Sequence, residues 1–311
     1  VQWMAFLIVF LIAKVGFSAS LIFYDSMLSD ITDEERMDYV SSQGYAWGYI
    51  GSCVPFVLCL VIVLGSDTFG IRMETAMGIA FVLVAVWWLL MSLPLLKNYE
   101  QKYYVEKKPH AIAQSFKRLG ETFKNMKEEK QVFMFLLAFF FYIDGVYTII
   151  DMATAYGSAL GLDSTGLLLA LLVTQIVAFP CAIIFGNLSY RIRTEKLITV
   201  CIFAYLGIAI FAVFLKTQLQ FWILAILVGM FQGGIQALSR SYFTKIIPEE
   251  HSGEYFGLMD ICGKGASFVG TTIVSIVSQL TGNISMGVGM IAILFCIGIV
   301  IFLKAVSMNK N

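Results

Sequence analysis

Nine stretches of this chain are apolar over about twenty residues each, and few folds tolerate that. A bilayer core of about 30 Å needs roughly 20 apolar residues per helix. Inside it every backbone N–H and C=O must find its partner within the protein, which a helix achieves by itself. The runs fall at about 3–24, 41–64, 74–96, 131–150, 165–189, 196–215, 219–240, 255–280 and 284–304. Charged residues make up only 14% and the mean hydropathy is +0.82, whereas soluble domains carry about a quarter charged residues. The expected fold is therefore an all-α integral membrane bundle, with the lipid bilayer as its surroundings. The zero net charge says nothing about partners, and no nucleic acid partner is expected. Cys53, Cys59, Cys181, Cys201, Cys262 and Cys296 are scattered in apolar runs without a CxxC pair, so they read as small apolar fillers. His110 and His251 both fall in polar loops, which argues against a buried metal site, and no cofactor is expected.

Most connections are short, as between antiparallel neighbours. The exception is a polar linker at 97–130, between the third and fourth runs. Threading nine spans sorts the basic residues. Arg36, the linker, Arg191, Arg193, Lys196, Lys245, Lys304 and Lys310 share one side, and only Arg72 and Lys216 the other. The basic side is expected to be cytoplasmic, with the C-terminus inside and Val1 outside. From Pro109 onward, Ile112, Phe116, Leu119, Phe123 and Met126 recur at three- and four-residue steps among Lys117, Arg118, Lys124 and Lys127. That is an amphipathic helix, docked on the bundle or lying on the membrane surface.

The segment 229–270, GMFQGGIQALSRSYFTKIIPEEHSGEYFGLMDICGKGASFVG, reads as two membrane helices joined by a tight charged turn. Segment 16–52 repeats the layout 215 positions earlier. At that offset Glu34-Glu35 falls on Glu249-Glu250, Ile31 on Ile246, Gly48 on Gly263 and Ser18-Ala19 on Gly233-Gly234. Six spans follow the linker and three precede it. A parallel repeat of six-helix halves is a common transporter plan. The first two spans here match the fourth and fifth after the linker, so the expected organisation has three parts. Residues 1–96 are three helices of an N-terminal six-helix half, 97–130 a cytoplasmic linker, and 131–311 a C-terminal six-helix half. Nine helices of an expected twelve are then present, and Val1 opens a shortened chain.

On the stretches at 23–52, 140–157 and 232–268 the chain resembles the major facilitator superfamily, and within it the vacuole-effluxer group of autophagy-related permeases and their prokaryotic relatives. The resemblance implies a secondary transporter of a small solute and amino-acid efflux as the substrate class. It also implies a vacuolar-type membrane if eukaryotic and a cell membrane if prokaryotic. GNLSYRIRTEK at 186–196 is similar to the superfamily's loop motif, with Tyr190 in place of its aspartate and Arg193 in place of its second glycine. The gate-locking salt bridge assigned to that aspartate is therefore in question here.

Charges at membrane depth cost about 2.5–3.5 kcal/mol each on insertion scales, so their retention suggests use. Asp144, with Tyr147 near it, faces either the central cavity or a neighbouring helix, and reads as a proton-binding carboxylate or as a structural, hydrogen-bonded one. Asp151, seven residues on along the same helix face and near the outer end, reads as a solvated helix terminus. Lys14 is expected to face a polar cavity or a carboxylate. Asp260 and Lys264, four apart, are a mutually neutralising pair, in the pathway or at the cytoplasmic end. Gln232 and Gln236 flank Gly233 and Gly234 and point to a cavity or glue two helices. Gly44, Gly48 and Gly51 form a small-residue stripe that close packing explains. Asp25 and Asp30 with Arg36, and Arg240 with Glu249 and Glu250, sit at equivalent ends and read as cytoplasmic gate charges or as ordinary helix-end charges. Arg191 joins them.

The leading function is alternating-access transport of a small polar solute, with proton coupling a feature to test. A non-transporting scaffold or receptor of the same fold is the alternative. A membrane enzyme is disfavoured by the lack of HExxH, GxSxG or a metal-like carboxylate cluster, and an ATP-driven pump by the lack of a GxxxxGK[ST] loop.

Overall fold

The computed structural model describes residues 2–103, 111–126 and 129–308. Val1, Pro109, His110, Lys127 and Lys310 lie outside the described residues, as do the side chains of Ile112, Phe116 and Met126. In order, the helices are α1 (Gln2–Ser26), α2 (Leu28–Ile31), α3 (Met37–Leu64), α4 (Met73–Asn98), α5 (Ala111–Met126), α6 (Lys130–Ala159), α7 (Ser164–Leu188), α8 (Thr194–Val213), α9 (Gln218–Ile246), α10 (Ser252–Thr281) and α11 (Ile284–Met308). Among the described residues, nine helical segments are long and apolar enough to cross a membrane. Short α2 only continues α1 past a break at Met27.

Local chemistry sets the ends. The Asp163 carboxylate accepts the Gly166 N–H at 2.6 Å and starts α7, and Thr217 with Gln220 forms a capping box at α9. Gly70, Gly161 and Gly282 take φ of +64°, +76° and +65° in the turns at the end of the bundle away from the basic loops, a conformation costly for any residue with a Cβ.

Helices α6 to α11 share one core, in which Phe135, Tyr142, Phe243, Phe295 and Phe302 are fully buried. A smaller cluster, Ala46, Tyr49, Ala178 and Ala182, joins α3 to α7. α3 packs on α7 and α9, α1 chiefly on α10, and α4 on α3. Long apolar side chains of α1 and α4 such as Val9, Phe10, Leu89 and Leu90 are exposed, as a lipid-facing surface requires.

The two copies of the repeat have matching boundaries. α2 ends at Ile31 and α9 at Ile246, short 3-10 turns occupy Glu34–Arg36 and Glu249–His251, and the next helices begin at Met37 and Ser252. All three pairs keep the offset of 215.

Two expected ends are wrong. α6 runs on to Ala159 rather than about 150, so Asp151 lies two turns inside the helix and not at a terminus. There its carboxylate accepts a hydrogen bond from Ser267 Oγ at 2.9 Å. α9 runs on to Ile246 rather than about 240, because Ser241, Tyr242, Phe243 and Thr244, past the expected end, are buried against other helices.

Candidate functional site

The seam where α1 and α3 meet α7, α9 and α10 gathers most of the polar side chains at membrane depth. Its centre is Arg240, whose side chain is only 5% exposed. Its Nη1 donates to Asp25 Oδ1 at 3.0 Å, its Nε to Ser41 Oγ at 2.9 Å and its Nη2 to the Ser41 carbonyl at 3.0 Å. The guanidinium also lies 4.7 Å from the Tyr45 ring centre and 5.4 Å from that of Tyr24, close enough for cation–π attraction. Gly44 makes the approach possible: a Cβ there would stand 2.9 Å from the Tyr24 hydroxyl and 3.2 Å from Arg240 Nη2. Asp25 and Arg240 are 215 positions apart, so equivalent positions of the two repeats meet each other.

This changes the expected gate pairs. Arg240 binds neither Glu249 nor Glu250, because the helix carries it inward and Asp25 of the other repeat satisfies it. Asp30 does not pair with Arg36; it accepts the Tyr99 hydroxyl and the backbone N–H groups of Lys102 and Tyr103. The Tyr103 hydroxyl in turn donates to Glu249. Residues 99–103 thus strap the two turns together, and donation to Glu249 pushes the Tyr103 phenol up from its ordinary pKa. Arg36 and Arg191 are exposed and make no side-chain pair among the described residues.

Asp260 and Lys264 form the expected pair, Nζ to Oδ2 at 2.5 Å, well inside α10 and within electrostatic reach of Asp25. Tyr147 lies within the same reach of Asp25 and Asp260. The glutamines divide. Gln236 Oε1 accepts the Tyr49 hydroxyl at 2.5 Å and so bridges α9 to α3. Gln232 instead lines a cavity of about 330 Å³ with Ser52, Cys53, Phe56 and Gln175. That cavity lies away from the Arg240 end. Gly233 and Gly234 do serve close approach, with Ala182 and Phe185 of α7 in the space a Cβ would take. Gly48 and Gly51 do not, since nothing lies within 4 Å of a Cβ at either; the close-packing explanation of that stripe holds for Gly44 alone.

Asp144 is fully buried and faces neighbouring α10, not the cavity. Its Oδ1 accepts from the Gly270 N–H at 3.0 Å and Thr148 Oγ1 at 3.2 Å, and its Oδ2 has no partner among the described residues. A Cβ on Gly270 would collide with Asp144 and Thr148. Lys14 has no carboxylate at ion-pair distance among the described residues; its ammonium lies 5.9 Å from the Phe17 ring centre. Sequence reasoning missed Asp38, a buried carboxylate at the start of α3 that accepts from Lys245 Nζ at 2.8 Å. The one signal for it is an acid in the first turn of a helix, which any solvated helix shares.

A multi-pass helical bundle built from a repeated helix pair, with polar side chains along the seam, defines a membrane transporter of the major facilitator fold. Solved structures agree: an E. coli fucose:proton symporter, FucP, superposes with a TM-score of 0.64 at 15% identity, over 91% of this chain and 72% of that one. A bacterial homologue of the iron transporter ferroportin superposes with a TM-score of 0.59 at 16% identity, over 90% and 66%. The family profile described as "Vacuole effluxer Atg22 like" matches residues 1–311, and the chain belongs to that family. The MFS-type transporter YxiO of Bacillus subtilis (strain 168) is 46% identical over 302 residues, covering 96% of this chain and 71% of YxiO. Autophagy-related protein 22 of Cryptococcus neoformans var. neoformans serotype D (strain JEC21) is 26% identical over 288 residues, 85% of this chain and 48% of that protein. The chain thus spans about half the length of the Atg22 relative.

Proposed function

We propose that this protein is a secondary transporter, not an enzyme, and that it moves a small polar solute by alternating access with the Asp25–Arg240 pair as its inner lock. The observation that carries this is the ion pair itself. It joins α1 to α9 at equivalent repeat positions, near the pseudo-twofold relation between the halves. It stands at the basic end, which is the cytoplasmic one under the positive-inside rule. A contact made in one state only biases the equilibrium by its own differential energy. With that end closed, the cavity at Gln232 lies on the other side of the lock, where a solute enters or leaves.

In this reading α1 to α4 belong to one half and α6 to α11 to the other. The single core shared by α6 to α11 supports that division. Amino acids are the solute class in this reading, moved in the direction of efflux; the family description "Vacuole effluxer Atg22 like" supports the direction. Asp144 is the proton site. A proton adds to or leaves its unpartnered Oδ2 without breaking a hydrogen bond, and its Oδ1 is tied to α10, which a change there would move. Counterflow in proteoliposomes with a panel of amino acids tests the function. Saturable exchange of at least one solute is expected, and folded protein that exchanges none overturns the reading.

A further inference from the structure

The loop motif leading into α8 has Tyr190 in place of its acid, yet a carboxylate reaches the same place from across the seam. Asp38 Oδ1 accepts from Ser241 Oγ at 2.6 Å, and its Oδ2 accepts from Thr194 Oγ1 at 2.6 Å and from Lys245 Nζ at 2.8 Å. Lys245 Nζ also reaches Thr194 Oγ1 at 3.4 Å. Asp38 opens α3, Thr194 opens α8, and Ser241 and Lys245 belong to α9. The Asp38 side chain is 7% exposed and lies at the positive ends of two helices, where an anion is favoured. Charge-assisted hydrogen bonds to both oxygens offset the cost of burying it.

The rest of the loop motif is fitted to the same contact. Gly186 lets α3 approach: a Cβ there would stand 2.7 Å from Ser42 Cβ and 3.5 Å from Tyr39 Cα. Tyr190, where the acid is missing, packs on Tyr39 with ring centres 5.9 Å apart. A glycine, an aromatic contact and a carboxylate thus join the α7–α8 loop to the start of α3.

We propose that Asp38 with Lys245 is a second inner lock of inverted polarity, in which the other half supplies the acid that the loop lacks. This rests on the alternating-access reading above. Asp38 is a positioning residue: it holds α3 against α8 and α9 while the basic end is closed, and its contacts must part before that end opens. Because Ser241 and Lys245 share α9 with Arg240, one movement of α9 releases both locks.

The test uses single-thiol variants of the full-length protein in lipid nanodiscs, alkylated with N-ethylmaleimide. One thiol is Ser42→Cys, buried beneath the lock; the other is native Cys53 in the cavity at the opposite end. Asp38→Asn, or Lys245→Gln, is expected to raise labelling of the first at least tenfold and to lower labelling of the second. A structural defect raises both, so parallel increases in both variants, or unchanged rates, overturn the proposal. Arg240→Gln serves as the reference. If it gives the reciprocal change and the Asp38 and Lys245 variants do not, the second lock alone is refuted; if none of the three does, the alternating-access reading falls with it.

Discussion

Asp25→Asn strands a buried cation, and its effect can be sized. Removing one partner of a buried ion pair costs about 3–5 kcal/mol. The Arg240 side chain is 5% exposed and that of Asp25 32%, so Asp25 is partly solvated and the loss falls to about 2–3 kcal/mol after that discount. The Ser41 acceptors and the Tyr45 and Tyr24 rings remain and do not add to it. If the pair exists only with the basic end closed, the loss shifts the closed-to-open equilibrium by about 30- to 150-fold, at 1.4 kcal/mol per decade. Alkylation of Cys53 as the sole thiol, from the side opposite the basic end, should slow several-fold as the cavity closes. The repeat adds a sharper arm. Since positions 25 and 240 are related by the repeat, exchanging the charges with Asp25→Arg and Arg240→Asp should recover about half of the loss, estimated from pairwise coupling. Recovery is incomplete because Ser41 and Tyr45 suit a guanidinium on α9 only. An unchanged rate in Asp25→Asn, or a double variant as poor as the two singles added, refutes the reasoning.

Other substitutions probe the surrounding structure. Gly270→Ala drives a methyl into Asp144 and Thr148 and should cost about 1–3 kcal/mol of overpacking, read as a lower Tm of the purified protein; an unchanged Tm contradicts the packing. Asp144→Asn should abolish the pH dependence of uptake while leaving solute exchange, and a wild-type pH profile removes Asp144 as the proton site. Tyr103→Phe loses the exposed hydrogen bond to Glu249 and should speed proteolytic cleavage of the linker without lowering Tm by more than a few degrees.

All nine spans are legible in the sequence because the length of an apolar run is a local property set by the bilayer. The repeat is legible for a similar reason, since its glycine and acidic positions recur at one fixed offset. Helix ends are less so. Ser239, Arg240 and Ser241 look like the polar end of a span until Tyr142, Asp25, Ser41 and Asp38 are seen to satisfy them from other helices. Pairings are the least legible. Asp30 and Glu249 invite nearby arginines, but linker donors at Tyr99 and Tyr103 reach them first. Arg240 finds its acid 215 positions away. Gly48 and Gly51 share the spacing of Gly44 but not its crowding, and only the packed neighbours tell them apart.

A covalent closure of the basic end tests the account most directly. Ser42→Cys and Gly186→Cys would place two β-carbons across the α3–α7 seam. The spacing for an unmoved backbone is 2.7 Å, against about 3.8 Å in an ordinary disulfide, so a shift of about 1 Å admits the bond. The reduced double variant should exchange solute in the counterflow assay, the oxidised one should not, and reduction should restore exchange. Undiminished exchange by fully cross-linked protein would contradict transport by opening and closing of that end.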